Sequence, residues 1–358
     1  MTTSSNDRPM AGPPRITGAD VARLAGVSKT AVSQVFSGNG RISAETSRRV
    51  MAAAAELGYA PAHAARSLRT GRTGLLSMII PQADNPYYME IFAGGQAIAA
   101  ERGYSLDLVA VENPEAMRRT LGLLGSGIAD GVVITDEGDI AELAAEVRAL
   151  RRRGVAVSVA QDFSPDPEVP AVRVDVEQGA RLAVRHLVQL GHRRIAHVSN
   201  RRELVRQAAR PEEIVDGRFR GYQDALAEAG IAYDPALVYG TDVSARGGAA
   251  AAAAVTARPG PACTAVFAFN DLVAMGLLHG LAMMDVRVPT DLSVVGFDGI
   301  DLTEFSVPSL TTVSHPRHEL GRRAVALLCD QLDGKPVAER DCVLAPSLVV
   351  RGSTGAPA

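Results

Sequence analysis

Hydrophobic positions change their spacing twice along this chain. From Ile16 to Leu57 they recur at helical intervals: Val21, Leu24 and Ala25, then Val32 and Val35, then Val50, Ala53, Ala54 and Leu57. Thr17 followed by Asp20 predicts a capping-box start, Gly26-Val27 a tight turn, and Ser28 an N-cap for a second helix to about Phe36. A third helix is predicted from Ser43 to Leu57, closed by Gly58. Two short helices around a glycine turn predict a helix-turn-helix, whose second helix can lie in a major groove.

From Leu75 the pattern becomes short apolar runs alternating with amphipathic stretches. Strands are predicted at 75–80, 105–109, 131–135, 155–160, 194–199, 237–239, 264–269 and 292–297. Helices are predicted at 87–102, 117–126, 140–153, 177–190, 216–229, 245–257, 271–284 and 318–332, with a connection at 172–175. This alternation implies parallel sheets with right-handed crossovers, in two halves that bind ligand at the carboxyl ends of their strands. Between the two patterns, Ala62–Leu68 is long enough for one short helix, marginal on its own in water.

Charge separates the same regions. Residues 1–73 carry ten basic and four acidic side chains, a net +6 that leaves −9 for the remainder of a chain of net −3. A basic head on an acidic body is the footprint of a DNA-binding module joined to a regulatory domain. At 358 residues and 47% hydrophobic composition the chain can bury several cores, built from Ala, Val, Leu and Ile since aromatics are 4% and Trp is absent. Cys263, Cys329 and Cys342 are too dispersed for a disulfide framework or a zinc cluster, so no metal and no cofactor is expected. Residues 1–15 are polar and Pro-containing and are expected to be a disordered tail. No run of about 18 apolar residues follows, so the chain is expected to be cytoplasmic, without a membrane partner.

The VARLAGVS run, the GYAP turn, ARSLRTGRTG and the terminal VVRGSTGAP together resemble the LacI family of transcription regulators. The resemblance implies a small all-α helix-turn-helix DNA-binding domain plus an α/β two-lobed, doubly wound domain of the type I periplasmic-binding-protein kind. It implies a domain at 16–60, a hinge at 61–73, an N-lobe at 74–172 with about 314–334, a C-lobe at 173–313 with about 335–352, and a tail at 353–358. Leu68 is then the apolar wedge that kinks DNA from the minor groove once two hinge helices pair.

Site residues follow in two groups. The helix from Ser28 presents Lys29, Thr30, Ser33, Gln34 and Ser37 outward, donors and acceptors suited to base edges, while Thr17 and Arg49 suit phosphate. The family usually has Arg where this chain has Gln34, and often Asn where it has Ser37. Gln favours adenine where Arg favours guanine, so a divergent half-site is expected. In the body, Tyr87 and Tyr88 match positions that stack on an effector, and Arg218 matches an effector-clamping arginine. Asn270 and Asp298 directly follow strands, where ligand groups converge. The carboxylate common after the fourth strand is replaced by Gln161, with Asp162 beside it as the alternate. His192, His197, His315 and His318 are given no ligand role.

The expected protein is therefore a repressor that binds a near-palindromic operator in double-stranded DNA as a homodimer, controlled by a small sugar-like effector. The rival readings are a solute-binding transport component and an enzyme. The basic head opposes the first. Against the second stands the lack of a nucleophile elbow, a P-loop or a dinucleotide fingerprint.

Overall fold

Three helices make the first of two units, which meet between Thr73 and Gly74: α1 (Gly18–Ala25), α2 (Lys29–Ser37) and α3 (Ala44–Leu57). The computed structural model describes residues 16–37, 42–59, 72–135, 143–161, 164, 166–209, 217–257, 263–337 and 340–357. The tail at 1–15, Leu68 with the rest of 60–71, and Asp162 lie outside the described residues. In α1 the Asp20 carboxylate accepts from both the Thr17 amide (3.0 Å) and the Thr17 hydroxyl (2.7 Å). Left-handed Gly26 and Gly58 end α1 and α3, a conformation that costs glycine no Cβ clash. Val21, Ala22, Ala25, Val32, Val50, Ala53 and Ala54 form the core, with Phe36 set edge-on to Tyr59.

The second unit holds two six-stranded sheets. In chain order its first half contains β1 (Leu75–Ile80), α4 (Pro86–Glu101), β2 (Ser105–Ala110), α5 (Pro114–Leu123) and β3 (Gly131–Ile134). It continues through α6 (Ala144–Arg152), β4 (Ala156–Gln161) and β5 (Ala171–Val174). The other half runs α7 (Val176–Gln189), β6 (Ile195–Asn200), α8 (Arg201–Ala209), α9 (Gly217–Glu228), β7 (Val238–Thr241), α10 (Ala245–Thr256) and β8 (Ala265–Ala268). Then come α11 (Asp271–Ala282), β9 (Ser293–Asp298) and β10 (Thr311–Ser314). The chain ends on α12 (Arg317–Leu332), β11 (Asp341–Leu344) and β12 (Ser347–Val349). Strand orders are β11-β5-β4-β3-β1-β2 and β12-β10-β9-β8-β6-β7, parallel except that β12 runs antiparallel to β10.

Two expected boundaries need correction. Residues 171–174 are not a connection but β5, paired with β4 and β11, so the first crossing follows Val174 instead of Val172. The third crossing lies at 345–346, not near 335. β11 pairs with β5 in the N-lobe, where Cys342 and Leu344 are buried, and only β12 ends in the C-lobe. Four-residue strands carry too little periodicity to be assigned to a sheet from sequence. The helix expected at 117–126 starts earlier, behind the Asn113 cap, and ends in a π-helical turn at Leu124–Ile128.

Each lobe contains a closely packed helix pair. α12 lies against α4 at Gly94, Gly95 and Gly321, where a Cβ on Gly321 would overlap the Ile91 carbonyl. α10 and α11 meet in the same way through Gly248, Gly276 and Gly280. No helix among the described residues is long and apolar enough to cross a membrane.

Candidate nucleic-acid interface and ligand cleft

The outward face of α2 is built by local hydrogen bonds. Ser28 Oγ accepts from the Ala31 amide (3.1 Å), and Val32 is buried on the opposite side. Lys29, Thr30 and Ser33 are exposed and Gln34 is half-buried, while Ser37 is the last residue of the helix. Arg49 on α3 donates through Nη2 to the Ala25 carbonyl (2.5 Å) and the Gly26 carbonyl (3.3 Å). Ser28 and Arg49 thus hold the turn between α1 and α2, while Thr17 caps the start of α1. That duty was invisible while Arg49 was read only as a charge, because the partner lies 24 residues away in sequence.

Between the lobes, an inner cluster gathers several of the expected residues. The Arg218 guanidinium, in the first turn of α9, sits over Phe269 (4.3 Å) and Phe297 (4.7 Å) and 3.8 Å from Asp298 Oδ1. The two rings fix the plane in which its N–H groups donate, which suits a carboxylate or paired hydroxyls. Asp298 ends β9 at φ 112°, a strained conformation for a residue with a Cβ. Its surroundings hold it there. Arg317 Nη1 donates to the Asp298 carbonyl (2.7 Å), and the same guanidinium reaches Glu90 on α4 (2.6 Å), tying the crossover to both lobes. Asp271 accepts from the Ile300 amide (2.8 Å) and the Thr312 hydroxyl (2.5 Å), and burial pushes its carboxyl up to about 7.

On the N-lobe side, Asn85 caps α4 and places Tyr87 and Tyr88 in its first turn. The Tyr87 hydroxyl lies 3.4 Å from His315 Nδ1, and the His315 ring stands edge-on to Phe297. Burial, with Arg218 and Arg317 nearby, holds His315 well below its ordinary pKa, so it is neutral. The sequence reading passed over both His315 and Phe269. A histidine flanking a crossover was the available signal for the first. Gln161 ends β4 at φ 84°. Asn270 is buried, with its carbonyl oxygen capping α11 through the Val273 amide (2.9 Å), so N-capping is its visible role.

Outside this cluster lies a cavity of about 780 Å³. Tyr88 and Phe269 belong to its wall, and among the described residues Tyr88 is the only expected effector residue in its lining. The N-lobe contributes the 81–84 loop and residues 111–118, the C-lobe Asn200, α8 and residues 242–244. Gln82 donates across the cleft to the Val243 carbonyl (3.2 Å). Helix α8 was not expected at all: it is short and mostly polar, with Leu204 and Val205 as its large apolar side chains. Among the described residues, no group of acidic, His or Cys side chains is arranged to hold a metal ion.

Comparison with known proteins gives the same division. Residues 18–62 match the model for bacterial regulatory proteins of the lacI family, and residues 184–354 match a periplasmic binding protein-like domain. The chain is 33% identical to the transcriptional repressor CytR of Escherichia coli over 94% of this chain and 96% of that one. It is 30% identical to the transcriptional regulator DegA of Bacillus subtilis over 94% and 97%. Among solved structures it is similar to the lac repressor dimer bound to operator and an anti-inducer, with TM-score 0.77, 27% identity, and 96% of this chain and all of that one covered. It is also similar to a complex of the regulator CelR with cellobiose, with TM-score 0.68, 31% identity, and coverage of 95% and 100%.

Proposed function

The chain belongs to the lacI family of bacterial regulatory proteins, and from that premise we propose that it represses transcription as a homodimer on a near-palindromic operator, controlled by a sugar-like effector between its lobes. The observation that carries this reading is the outward face of α2, capped by Ser28 and offering Lys29, Thr30 and Ser33 on a rigid three-helix core. One short recognition helix reads too few base edges for useful affinity, so two heads on one two-fold site are required. The reading as a transport component has no support, since the relatives are transcriptional repressors and regulators along their whole length.

Control works by population shift. An effector that binds one arrangement of the lobes better changes the geometry of the two hinges, and so their grip on DNA. Arg218, Asp298, Tyr88 and Gln161 are the effector-binding groups of this proposal, with Leu68 as the minor-groove wedge of the hinge. Operator binding places the protein in the cytoplasm, on the nucleoid when DNA-bound.

Selection of sheared genomic DNA by the purified protein tests the reading. The expected result is one enriched near-palindrome with a flexible pyrimidine–purine step at its centre, bound with an affinity that falls steeply as salt rises. Leu68→Ala is expected to weaken binding to that site by tenfold or more, on the order of 1.4 kcal/mol. Failure to enrich any site, with or without added cell extract, would refute the reading.

A further inference from the structure

Along the chain the head joins the body through the N-lobe, at β1, whereas Asp298 closes β9 in the C-lobe. A change at Asp298 therefore has to cross between the lobes to reach the hinge. The turn that follows β9 is gripped from both sides. On the C-lobe side, Asp271 accepts from the Ile300 amide (2.8 Å), and a Cβ on Gly299, at φ 72°, would overlap Ser314. On the N-lobe side, the fully buried Ile300 side chain belongs to the same cluster as Tyr87, Ile91 and Leu320.

Arg317, the first residue of α12, completes the N-lobe grip through three nitrogens. Nη1 donates to the Asp298 carbonyl (2.7 Å), Nε to Glu90 on α4 (2.6 Å), and Nη2 to Asp301 Oδ1 (3.4 Å). Helices α12 and α4 are themselves locked together, since a Cβ on Gly94 would overlap the His318 carbonyl. Arg317 is only 8% exposed and lies outside the cavity lining. It is placed to sense the end of β9 without forming part of the cavity wall.

We infer that Arg317 is the positioning residue that transmits the state of the β9 end to the N-lobe, and through it to the hinge. The inference rests on the effector-cleft reading above and gives that site its means of control. The two ends of Asp298 are held from different lobes. Its carboxylate lies 3.8 Å from Arg218 in the C-lobe, while its carbonyl is held by Arg317 from the N-lobe. A ligand group that draws on the carboxylate acts on a residue already at φ 112°, so the carbonyl turns with it. The guanidinium is a rigid planar fork, and Nη1 cannot follow a turning carbonyl without shifting the Nε that holds Glu90. Glu90 lies on α4, the helix directly after β1, so the shift arrives beside the strand that continues from the hinge. A neutral aliphatic side chain at this position would pack, but it would pass nothing on.

A double-mutant cycle on the full-length protein tests this without an identified effector, because a substitution at Asp298 supplies the disturbance. Asp298→Gly removes the carboxylate and frees the positive φ, which glycine adopts without a clash. Affinity for the selected operator is measured by fluorescence anisotropy, with the active fraction of each variant taken from stoichiometric titration. Asp298→Gly is expected to change that affinity by about fivefold or more, and by less than about twofold once Arg317→Met is also present. Arg317→Lys, with one nitrogen in place of the fork, is expected to retain part of the change. Glu90→Gln leaves Arg317 in place, lowers the change in the same direction, and serves if Arg317→Met does not fold. Arg287→Met, which breaks an exposed C-lobe ion pair with Asp291, leaves the change at full size. An arginine with a merely structural role would lower the active fraction and leave the two substitutions additive.

Three outcomes would overturn the inference: no effect of Asp298→Gly on operator affinity, additive effects of Asp298→Gly and Arg317→Met, or equal cancellation by Arg287→Met. A wild-type protein that selects no operator fails at the level of the function itself, before any variant is compared. A protein that selects its operator but gives an additive cycle refutes only the role of Arg317.

Discussion

In both lobes the fourth strand ends on a polar residue forced to positive φ, Gln161 closing β4 at 84° and Asp298 closing β9 at 112°. The N-lobe core on one face of this sheet is mainly aliphatic, with Leu76, Met78, Ile80 and Val133 packed beside Tyr87 and Tyr88. Around Asp298 the C-lobe holds Arg218 between two phenylalanines, the buried Asp271 clamp, and His197 stacked on Phe267 and Tyr222. One topology therefore carries two chemistries. The N-lobe supplies shape and tyrosine faces, and the C-lobe supplies buried charge. The strain at the end of β9 is sustained by a charge-assisted hydrogen bond from Arg317 to the Asp298 carbonyl and by the Ile300 amide donating to Asp271, an arrangement that an aliphatic core cannot provide.

The sharpest way to break this comparison is to remove the charge. Arg218→Ala leaves Asp298 buried beside two phenyl rings and is expected to cost effector affinity on the order of 3 kcal/mol or more, over about 100-fold. The check is titration of effector against operator-bound protein. A response that survives would assign recognition elsewhere.

The next largest effect is in stability against pH. His197 is fully buried, its Nδ1 lies 3.0 Å from the Phe267 carbonyl, and burial lowers its pKa to about 4. Its folded pKa lies below its unfolded one, so the neutral ring stabilises the fold above pH 6.5. That contribution is lost as pH falls from 6.5 to about 4. Asp271, raised to about 7, slopes the opposite way over part of that range, since its protonated form is the one the fold favours. The stability difference between wild type and His197→Phe isolates the histidine. Measured by urea unfolding, it is expected to change by up to about 3 kcal/mol between pH 7 and 4.

Two glycines sharpen the contrast. A Cβ at Gly296 in β9 would overlap the Asp271 carboxylate, whereas one at Gly131 in β3 first meets the Leu76 Cδ2 at 3.1 Å, the end of a flexible side chain. Gly296→Ala is expected to cost about 2 kcal/mol or more in thermal unfolding, and Gly131→Ala less than about 1. The smallest effect belongs to the contact across the cleft. Gln82→Ala removes one hydrogen bond to the Val243 carbonyl and is expected to weaken effector binding by about 1 kcal/mol, near fivefold.

The chain's local order was legible in its sequence. The capping residues Thr17, Ser28 and Ser43, the glycine ends at Gly26 and Gly58, and the strand–helix alternation all rest on interactions within about four residues. Family motifs carried Arg218 and Asp298 to one cleft, where the structure pairs them. Other features depended on partners far along the chain. The sequence showed Asn270 before a helix but not that its side chain caps that helix, and it showed Arg49 without the carbonyls of α1. It placed β11 in the wrong lobe, because Cys342 and Leu344 are equally apolar against either sheet and only register with β5 decides. It missed α8, a short and mostly polar helix whose position on the cavity wall follows from the end of β6. Periodicity and caps act within a turn or two, so sequence alone determined the elements. Which sheet an edge strand joins, which carboxylate is strained and which helix roofs the cavity are set by long-range packing, and only the tertiary structure decided them.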